Sequence, residues 1–478
     1  MNKIITQKIK DVLKNKIFSV FSQKIYEMIE ITIESFNSNT PKERYLSLIS
    51  NLQTSIKDIV KSTLVALFET IDNEYKASAD RLLYYYINKS DVKRTIITIV
   101  GEISFSRTYY KDKISGACFF YIDTLLGLPK YDHYDSIVKG IAIDNAFHTS
   151  QAQAARNTSA IISDITYFSN YDVLNDIPRQ SIFNWIKKWN VPNIIPESVE
   201  TPENLFVMAD EKYIGCQDLE DNLMIKSFVT FEDIKDVSKN RRKLVNRSVF
   251  SHSGPDAWVY FMDFIAKKYD FSKIKNIYLF GDGASWIKKG TFELRLNTFN
   301  DVKFYLCEFH FKQSIHHITL DKEERKNLIK LVAKGTKKDF IERVNEIILN
   351  NPNREETILK KLNYVCKNYS AIKRMLSLDF GSSMESHISH LIASFFASRP
   401  KGYSSKNIDK YLKLIDFKNN DYNIFNIYMN SYSNKEIISI NHENLDFSLF
   451  DKSITTSIPI LKRGEVTPTY NELHQLVY

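Results

Sequence analysis

The stretch Leu205-Phe206-Val207-Met208-Ala209-Asp210 decides the fold: five apolar residues in unbroken succession, then an acid. A run of this length, closed by an acid, reads as a strand that carries the acid at its end. Ile277-Tyr278-Leu279-Phe280-Gly281-Asp282 repeats the pattern. Around these two runs lie further strand candidates at 226–231, 245–250 and 302–306, with a helix over 257–268. Together they predict an α/β domain with a five-stranded mixed sheet whose first and fourth strands each end on an acid. A third acid, Glu385, opens the helical stretch Met384-Glu385-Ser386-His387-Ile388-Ser389-His390-Leu391-Ile392. Ile388, Leu391, Ile392 and Phe395 form its apolar stripe, and Glu385 falls at the edge. Two strand ends and one helix can converge on one point.

Three carboxylates crowded at such a point repel one another, and bound divalent cations supply the compensating charge. Hard magnesium or manganese ions take oxygen ligands. A pair of them roughly 3.5 to 4 Å apart stabilises both the attacking and the leaving oxygen of an in-line phosphoryl displacement. Asp210, Asp282 and Glu385 are therefore the candidate catalytic and metal-binding residues, and two Mg2+ or Mn2+ ions are the expected cofactor. One acid alone would carry little weight, because most acids after an apolar run are solvated caps or turn formers.

The chain has 478 residues, 43% of them hydrophobic, with 13 Gly and 11 Pro, which suits two to four folded domains. No apolar stretch approaches the roughly 18 residues of a membrane span. Met1-Asn2-Lys3-Ile4-Ile5-Thr6-Gln7-Lys8-Ile9-Lys10 lacks the apolar core of a secretory signal, so a cytoplasmic protein without a membrane partner is expected. Cys118, Cys216, Cys307 and Cys366 lie far apart, which argues against a disulfide framework and a structural zinc site. The net charge of +8 suits a polyanionic partner and equally fits proteins that bind none.

Residues 1–92 read as helices, with a stripe through Ile9, Val12, Leu13, Ile17, Val20 and Phe21 that serves either a core or a partner. A β meander follows over 93–130, carried by Thr95-Ile96-Ile97-Thr98-Ile99-Val100, then 103–110, then 117–122. Region 131–200 is helical again. In it Arg179-Gln180-Ser181-Ile182-Phe183-Asn184-Trp185-Ile186-Lys187-Lys188 looks like the second half of a helix-turn-helix. Ile182, Phe183, Trp185 and Ile186 pack inward, while Arg179, Gln180, Ser181, Asn184, Lys187 and Lys188 present a polar, cationic face, fit either for DNA or for solvent. The sheet domain begins in 201–310, is interrupted by a Lys-, Arg- and Glu-rich helical insertion over 311–378 and resumes over 379–415, before a tail over 416–478. Between its second and third strands Lys239, Arg241, Arg242 and Lys243 make a basic hairpin tip that either grips DNA or is simply solvated.

Several segments resemble the ISLre-type bacterial insertion-sequence transposases, relatives of the Mutator-like transposases. These are Gly101-Glu102-Ile103-Ser104-Phe105-Ser106-Arg107-Thr108-Tyr109-Tyr110, Leu126-Gly127-Leu128-Pro129-Lys130-Tyr131, Ala209-Asp210-Glu211, Gly281-Asp282-Gly283-Ala284-Ser285-Trp286-Ile287-Lys288, Phe309-His310 and Ser383-Met384-Glu385-Ser386-His387 onward to Ser398-Arg399-Pro400-Lys401-Gly402-Tyr403. The resemblance implies a ribonuclease-H-like catalytic domain with Asp210, Asp282 and Glu385 as its metal-binding triad. It also implies DNA as partner, both as terminal inverted repeats and as target, and a homo-oligomer assembled on it at the nucleoid. Cys307-Glu308-Phe309-His310 occupies the place of a Cys-or-Asp, two residues, then His motif after the fifth strand, so Cys307 and His310 are expected to support the active site. The family more often carries Asp at the first of those positions. Trp286 is suited either to stacking on an unpaired base or to the core, Lys288 to a phosphate, and Arg399 to a phosphate or a helix end. The expected activity is cleavage and transfer of the strands of a mobile element. A non-catalytic DNA-binding descendant and a nuclease that cuts without joining are the alternatives.

Overall fold

The structure, a computed structural model, describes residues 7–37, 40–162, 177–194, 196, 199–238, 241–298, 301–378, 392, 394–396 and 403–433. The chain divides into two compact units, Met1–Trp189 with Ile424–Tyr478, and Asn190–Asn423. Among the described residues no helix is long and apolar enough to cross a membrane.

The first unit opens with an antiparallel helical hairpin, α1 (Gln7–Ser35) and α2 (Pro41–Lys76). Lys24 pairs with Asp58 at 2.9 Å, and Asn51 donates to the Ser35 hydroxyl at 2.9 Å. Thr40 and Glu43 form a capping box that fixes where α2 begins. After α3 (Ala79–Tyr84) come β1 (Tyr85–Thr98), β2 (Gly101–Asp112) and β3 (Cys118–Phe120), a meander in that order. Strand β1 thus starts inside the stretch read as helical. Its first half is irregular in register between Ile87 and Val92, and Asp91 adopts a φ of +58°, so the residues there do not alternate cleanly. The third strand is also shorter than expected, because α4 (Tyr121–Leu125) takes over. Val65, Phe68 and Ile71 of α2 pack on Ile96, Ile103, Phe105 and Ile122. Where β3 no longer covers β2, acids of α2 do: Glu69 accepts from the Ser106 N–H and Asp72 from the Thr108 N–H, both at 2.8 Å. Helices α5 (Ser136–His148), α6 (Gln151–Ile162) and α7 (Arg179–Lys188) follow. A helix over 424–433 returns to this unit, where the Trp189 indole donates to the Ser431 hydroxyl at 2.8 Å.

The second unit is a mixed five-stranded sheet flanked by helices. Its strands are β4 (Asn204–Ile214), β5 (Leu223–Phe231), β8 (Ser248–His252), β9 (Asn276–Gly281) and β10 (Asp301–Leu306), in the order β10-β9-β4-β5-β8. The first three are antiparallel to their neighbours in sequence, while β9 runs parallel to β4 and β10 parallel to β9. Phe231, Phe206, Tyr278 and Tyr305 form an aromatic row across the sheet, with ring centroids 5.0, 4.7 and 5.5 Å apart. The expected strand at 245–250 is broken. β6 (Asp233–Ser238) and β7 (Arg241–Val245) form a separate two-stranded ribbon, and Asn246, at φ +50°, turns the chain into β8. On the sheet lie α8 (Ala257–Ala266) and α9 (Ser285–Thr298). Five helices make up the insertion: α10 (Glu308–Ile318), α11 (Lys322–Lys334), α12 (Lys337–Leu349), α13 (Glu355–Lys367) and α14 (Tyr369–Leu376).

Edge strand β8 is closed by α15 (Ser405–Asn419). Asn420 exchanges two hydrogen bonds with the Val249 backbone, both at 2.8 Å, and Asp416 accepts from the Ser251 N–H at 2.7 Å and its hydroxyl at 2.8 Å. Burial raises the Asp416 carboxyl well above the ordinary range in spite of these bonds. A carboxyl whose folded pKa exceeds its unfolded value binds its proton more tightly when folded. The stability it contributes is complete below the unfolded pKa and is lost as pH rises toward the folded one. Chemical denaturation of the wild-type protein should therefore show stability falling above about pH 4, and Asp416→Asn should lack that component. Asp416→Ala, which orphans the Ser251 N–H, should cost about 1–3 kcal/mol. Identical pH slopes for wild type and Asp416→Asn would contradict this account.

Candidate active site

The parallel pairing of β4 with β9 ends at Met208 opposite Phe280. Asp210 lies two residues further along β4, and Asp282 directly follows β9. Asp210 is not at a strand end as expected: β4 runs on to Ile214, because β5 continues to pair with it, Asp210 facing Ser227. The acid nonetheless stands where β9 has stopped. One carboxylate oxygen each from Asp210, Glu211 and Asp282 lies within 4.8 Å of the others. All donors are hard oxygens, a set that fits magnesium or manganese.

Local backbone chemistry places Asp282. A Cβ on Gly281 would come within 2.6 Å of the Ile287 side chain, so β9 can close onto α9 only with glycine there. Gly283 takes a φ of +93°, which turns the chain sharply out of the sheet. The Asp282 carboxylate accepts from the Ala284 N–H at 2.8 Å, and its carbonyl accepts from the Tyr364 hydroxyl of α13. The insertion thus braces the turn that carries the acid. The Cys307 N–H donates to the Gly281 carbonyl at 2.7 Å, tying the end of β10 to the same turn.

Glu211 is a site residue that the sequence pattern does not single out. Neighbours on a strand point to opposite faces, so alternation assigns Glu211 away from Asp210. In the fold the Asp210 carboxylate swings along the strand to accept the Glu211 N–H at 2.9 Å. The adjacent acids in Ala209-Asp210-Glu211 are the one available signal. Burial pushes the Glu211 carboxyl up, the Trp286 N–H pulls it down, the charge of Asp282 raises it, and His310 and Lys226 lower it. Trp286 donates its indole N–H to Glu211 at 2.7 Å, and its ring meets Phe228 and Trp258 edge-on or tilted at 5.8 and 6.1 Å. That packing makes Trp286 a half-buried support of the acid cluster. Lys226 is a second residue of this kind. It is buried opposite Glu211 on β5, donates to the Gly254 and Pro255 carbonyls at 3.2 Å and lies 5.6 Å from the Trp286 ring. Burial lowers its pKa, against the raising effect of Asp256 and Glu211.

Of the remaining expected residues, Cys307 is buried before the first turn of α10, and His310 is half-buried on that turn, near enough to act on Glu211. Lys288 is half-buried on α9, its ammonium 6.0 Å from the Phe304 ring. Arg242 and Lys243 are exposed on β7, where Arg242 pairs with Asp236 at 3.1 Å, and Arg241 opens that strand. Glu385, Arg399 and Lys239 lie outside the described residues. In the other unit α7 buries Ile182 and Ile186. It exposes Arg179, Gln180, Asn184, Lys187 and Lys188 and leaves Ser181, Phe183 and Trp185 half-buried.

A family model described as "Uncharacterised protein family (UPF0236)" matches residues 44–430. Similar curated proteins come from Caldanaerobacter subterraneus subsp. tengcongensis. UPF0236 protein TTE0402 is 24% identical over 486 residues, covering 98% of this chain and 94% of its own. UPF0236 protein TTE2489 is 23% identical over 478 residues, covering 96% and 98%. A third is 24% identical over 452 residues, covering 90% and 92%, and its name joins eleven designations, from TTE0033 to TTE2212.

An ion that binds only the folded state, at about a hundredfold excess over its Kd, stabilises by about 2.7 kcal/mol. Titrating Mg2+ or Mn2+ should raise the melting temperature of the wild-type protein, and Asp210→Asn or Asp282→Asn should abolish the rise. An undiminished rise in both variants would place the ions elsewhere.

Proposed function

The chain belongs to the uncharacterised family UPF0236, and on that premise we propose that it is the DNA transposase of an insertion sequence. It binds the inverted repeats at the ends of the element and catalyses strand cleavage followed by strand transfer. The meeting of Asp210 and Asp282 beyond the last β4–β9 pair carries the proposal. Acids gathered where two parallel strands cease to pair suit polynucleotidyl transfer, and Glu385 is assigned the third position of the triad.

Other features support the same reading. Three antiparallel strands followed by two parallel ones, in the order β10-β9-β4-β5-β8, match the arrangement of a ribonuclease-H-like domain. The exposed polar and cationic face of α7 is of the kind that reads a DNA groove. A relative whose single name joins eleven designations in one organism is what a gene carried in many copies produces, and copying its own gene is the work of a transposase.

In cleavage, water attacks the phosphorus at the end of the element and the 3'-oxygen departs as a hydroxyl. In transfer, that hydroxyl attacks a target phosphodiester and releases a second 3'-oxygen. Two divalent ions held by Asp210, Asp282 and Glu385 would supply charge stabilisation to the attacking and leaving oxygens. The protein's own groups prepare the place. Trp286 fixes Glu211 beside the aspartates, and Lys226 and His310 offset the negative charge.

Labelled inverted-repeat ends incubated with the protein and Mg2+ should yield joined products. Asp210→Asn, Asp282→Asn and Glu385→Gln should each retain end binding while cleavage and joining fall by on the order of 10²–10³-fold. Normal joining by these variants would overturn the assignment, and cutting without joining by the wild type would point to a nuclease. Replacing Arg242 and Lys243 by Gln should flatten the slope of log affinity against log salt by about 0.9 for each phosphate no longer neutralised. An unchanged slope would remove the β6–β7 ribbon from the DNA interface.

A further inference from the structure

We propose that one face of the β1–β3 meander binds single-stranded nucleic acid, with Tyr86, Tyr109 and Phe120 as stacking platforms and Lys89, Lys111 and Lys113 as phosphate contacts. Residues opposite each other in antiparallel strands share a face, as do residues two apart along one strand. Tyr86 stands opposite Lys111, and Lys111 opposite Cys118. The next row of the same face is Lys89, Tyr109 and Phe120. The Tyr109 and Phe120 rings are tilted together at 4.6 Å, and the guanidinium of Arg107 lies 3.6 Å over the Phe120 ring. The Lys113 ammonium lies 5.0 Å from the Tyr86 ring. Tyr86 is 60% exposed, Lys89, Lys111, Lys113 and Cys118 are exposed, and Tyr109 and Phe120 are half-buried. At this end of the meander the core lies on the other face, where the buried Tyr85 meets Phe119 at 5.0 Å and the buried Tyr110 meets Tyr75 of α2 at 5.4 Å.

The make-up of the face selects the occupant. Among the described residues these two rows hold aromatic rings and lysines and no carboxylate. Of the acids that flank them in sequence, Asp112 faces the other side beside Tyr85 and accepts from the Ile114 and Ser115 N–H groups, Asp123 pairs with Arg94 and Arg107, and Asp91 stands in the irregular stretch past Lys89. Cations alone suit any polyanion. Rings interleaved with cations suit unpaired bases, which stack on the rings while the lysines meet the phosphates. A duplex keeps its base faces inside its own stack, so a single strand is the partner. This inference goes beyond the transposase reading, does not depend on the acid cluster and is tested without divalent ions.

Fluorescence anisotropy of the full chain with labelled oligothymidine in EDTA should show binding that Tyr86→Ile weakens by about tenfold and Tyr86→Phe leaves unchanged. Both substitutions keep the preference for a strand, and only the first removes the ring. Lys89→Gln with Lys111→Gln should flatten the slope of log affinity against log salt by about 0.7 for each phosphate no longer neutralised. Oligothymidine should also slow maleimide alkylation of the exposed Cys118, followed by mass spectrometry of its peptide, and a duplex of the same length should protect it less. Asp210→Asn should bind oligothymidine as the wild type does, so that a failure of the cleavage chemistry and a failure of this surface are told apart. Equal affinity of wild type and Tyr86→Ile, or alkylation of Cys118 at an undiminished rate with oligothymidine bound, would overturn the proposal. So would equal protection by duplex, or displacement of oligothymidine by polyglutamate at equal charge concentration, either of which marks a surface that reads charge alone.

Discussion

Two like charges placed side by side set the terms for the second unit. β4 and β9 run parallel and cease to pair at Met208 and Phe280, so the next acid on each chain segment is delivered to the same spot. The carboxylates of Asp210, Glu211 and Asp282 repel one another there, and nothing in their own chemistry holds them together. The surroundings do. Ala284 and Tyr364 fix the Asp282 turn, Cys307 ties β10 to it, Trp286 anchors Glu211, and Lys226 and His310 bring positive charge. Such a cluster is a poor structural element, and its three oxygens could hold a cation.

The sheets themselves are finished by helix side chains. In the first unit Glu69 and Asp72 of α2 take the amides of β2 beyond the end of β3. In the second, Asp416 and Asn420 take the open edge of β8. Both arrangements satisfy backbone groups that would otherwise template another strand. In the second unit the same device fixes β8, hence β5, hence the register that sets Ser227 opposite Asp210.

Much of this was legible in the sequence. The apolar runs before Asp210 and Asp282 announced strands, and the change to a charged helical period after 310 announced the insertion. What escaped had physical causes. Glu211 was hidden by strand alternation, which the turned Asp210 carboxylate circumvents. The β6–β7 ribbon was hidden because Val245 and Val249 read as one strand, although Asn246 adopts the left-handed conformation that parts them. The start of β1 was hidden by its register shifts, which erase the period of two. Lys226 carried no signal beyond its place at the start of a strand, and the carbonyls of Gly254 and Pro255 allow it to be buried.

The anomalous signal of Mn2+ in crystals of the wild-type protein examines the central claim most directly. The account predicts manganese bound between the carboxylates of Asp210 and Asp282, with an oxygen of Glu385 in the same coordination sphere. Manganese bound elsewhere, or a Glu385 carboxylate directed away from the two aspartates, would contradict it.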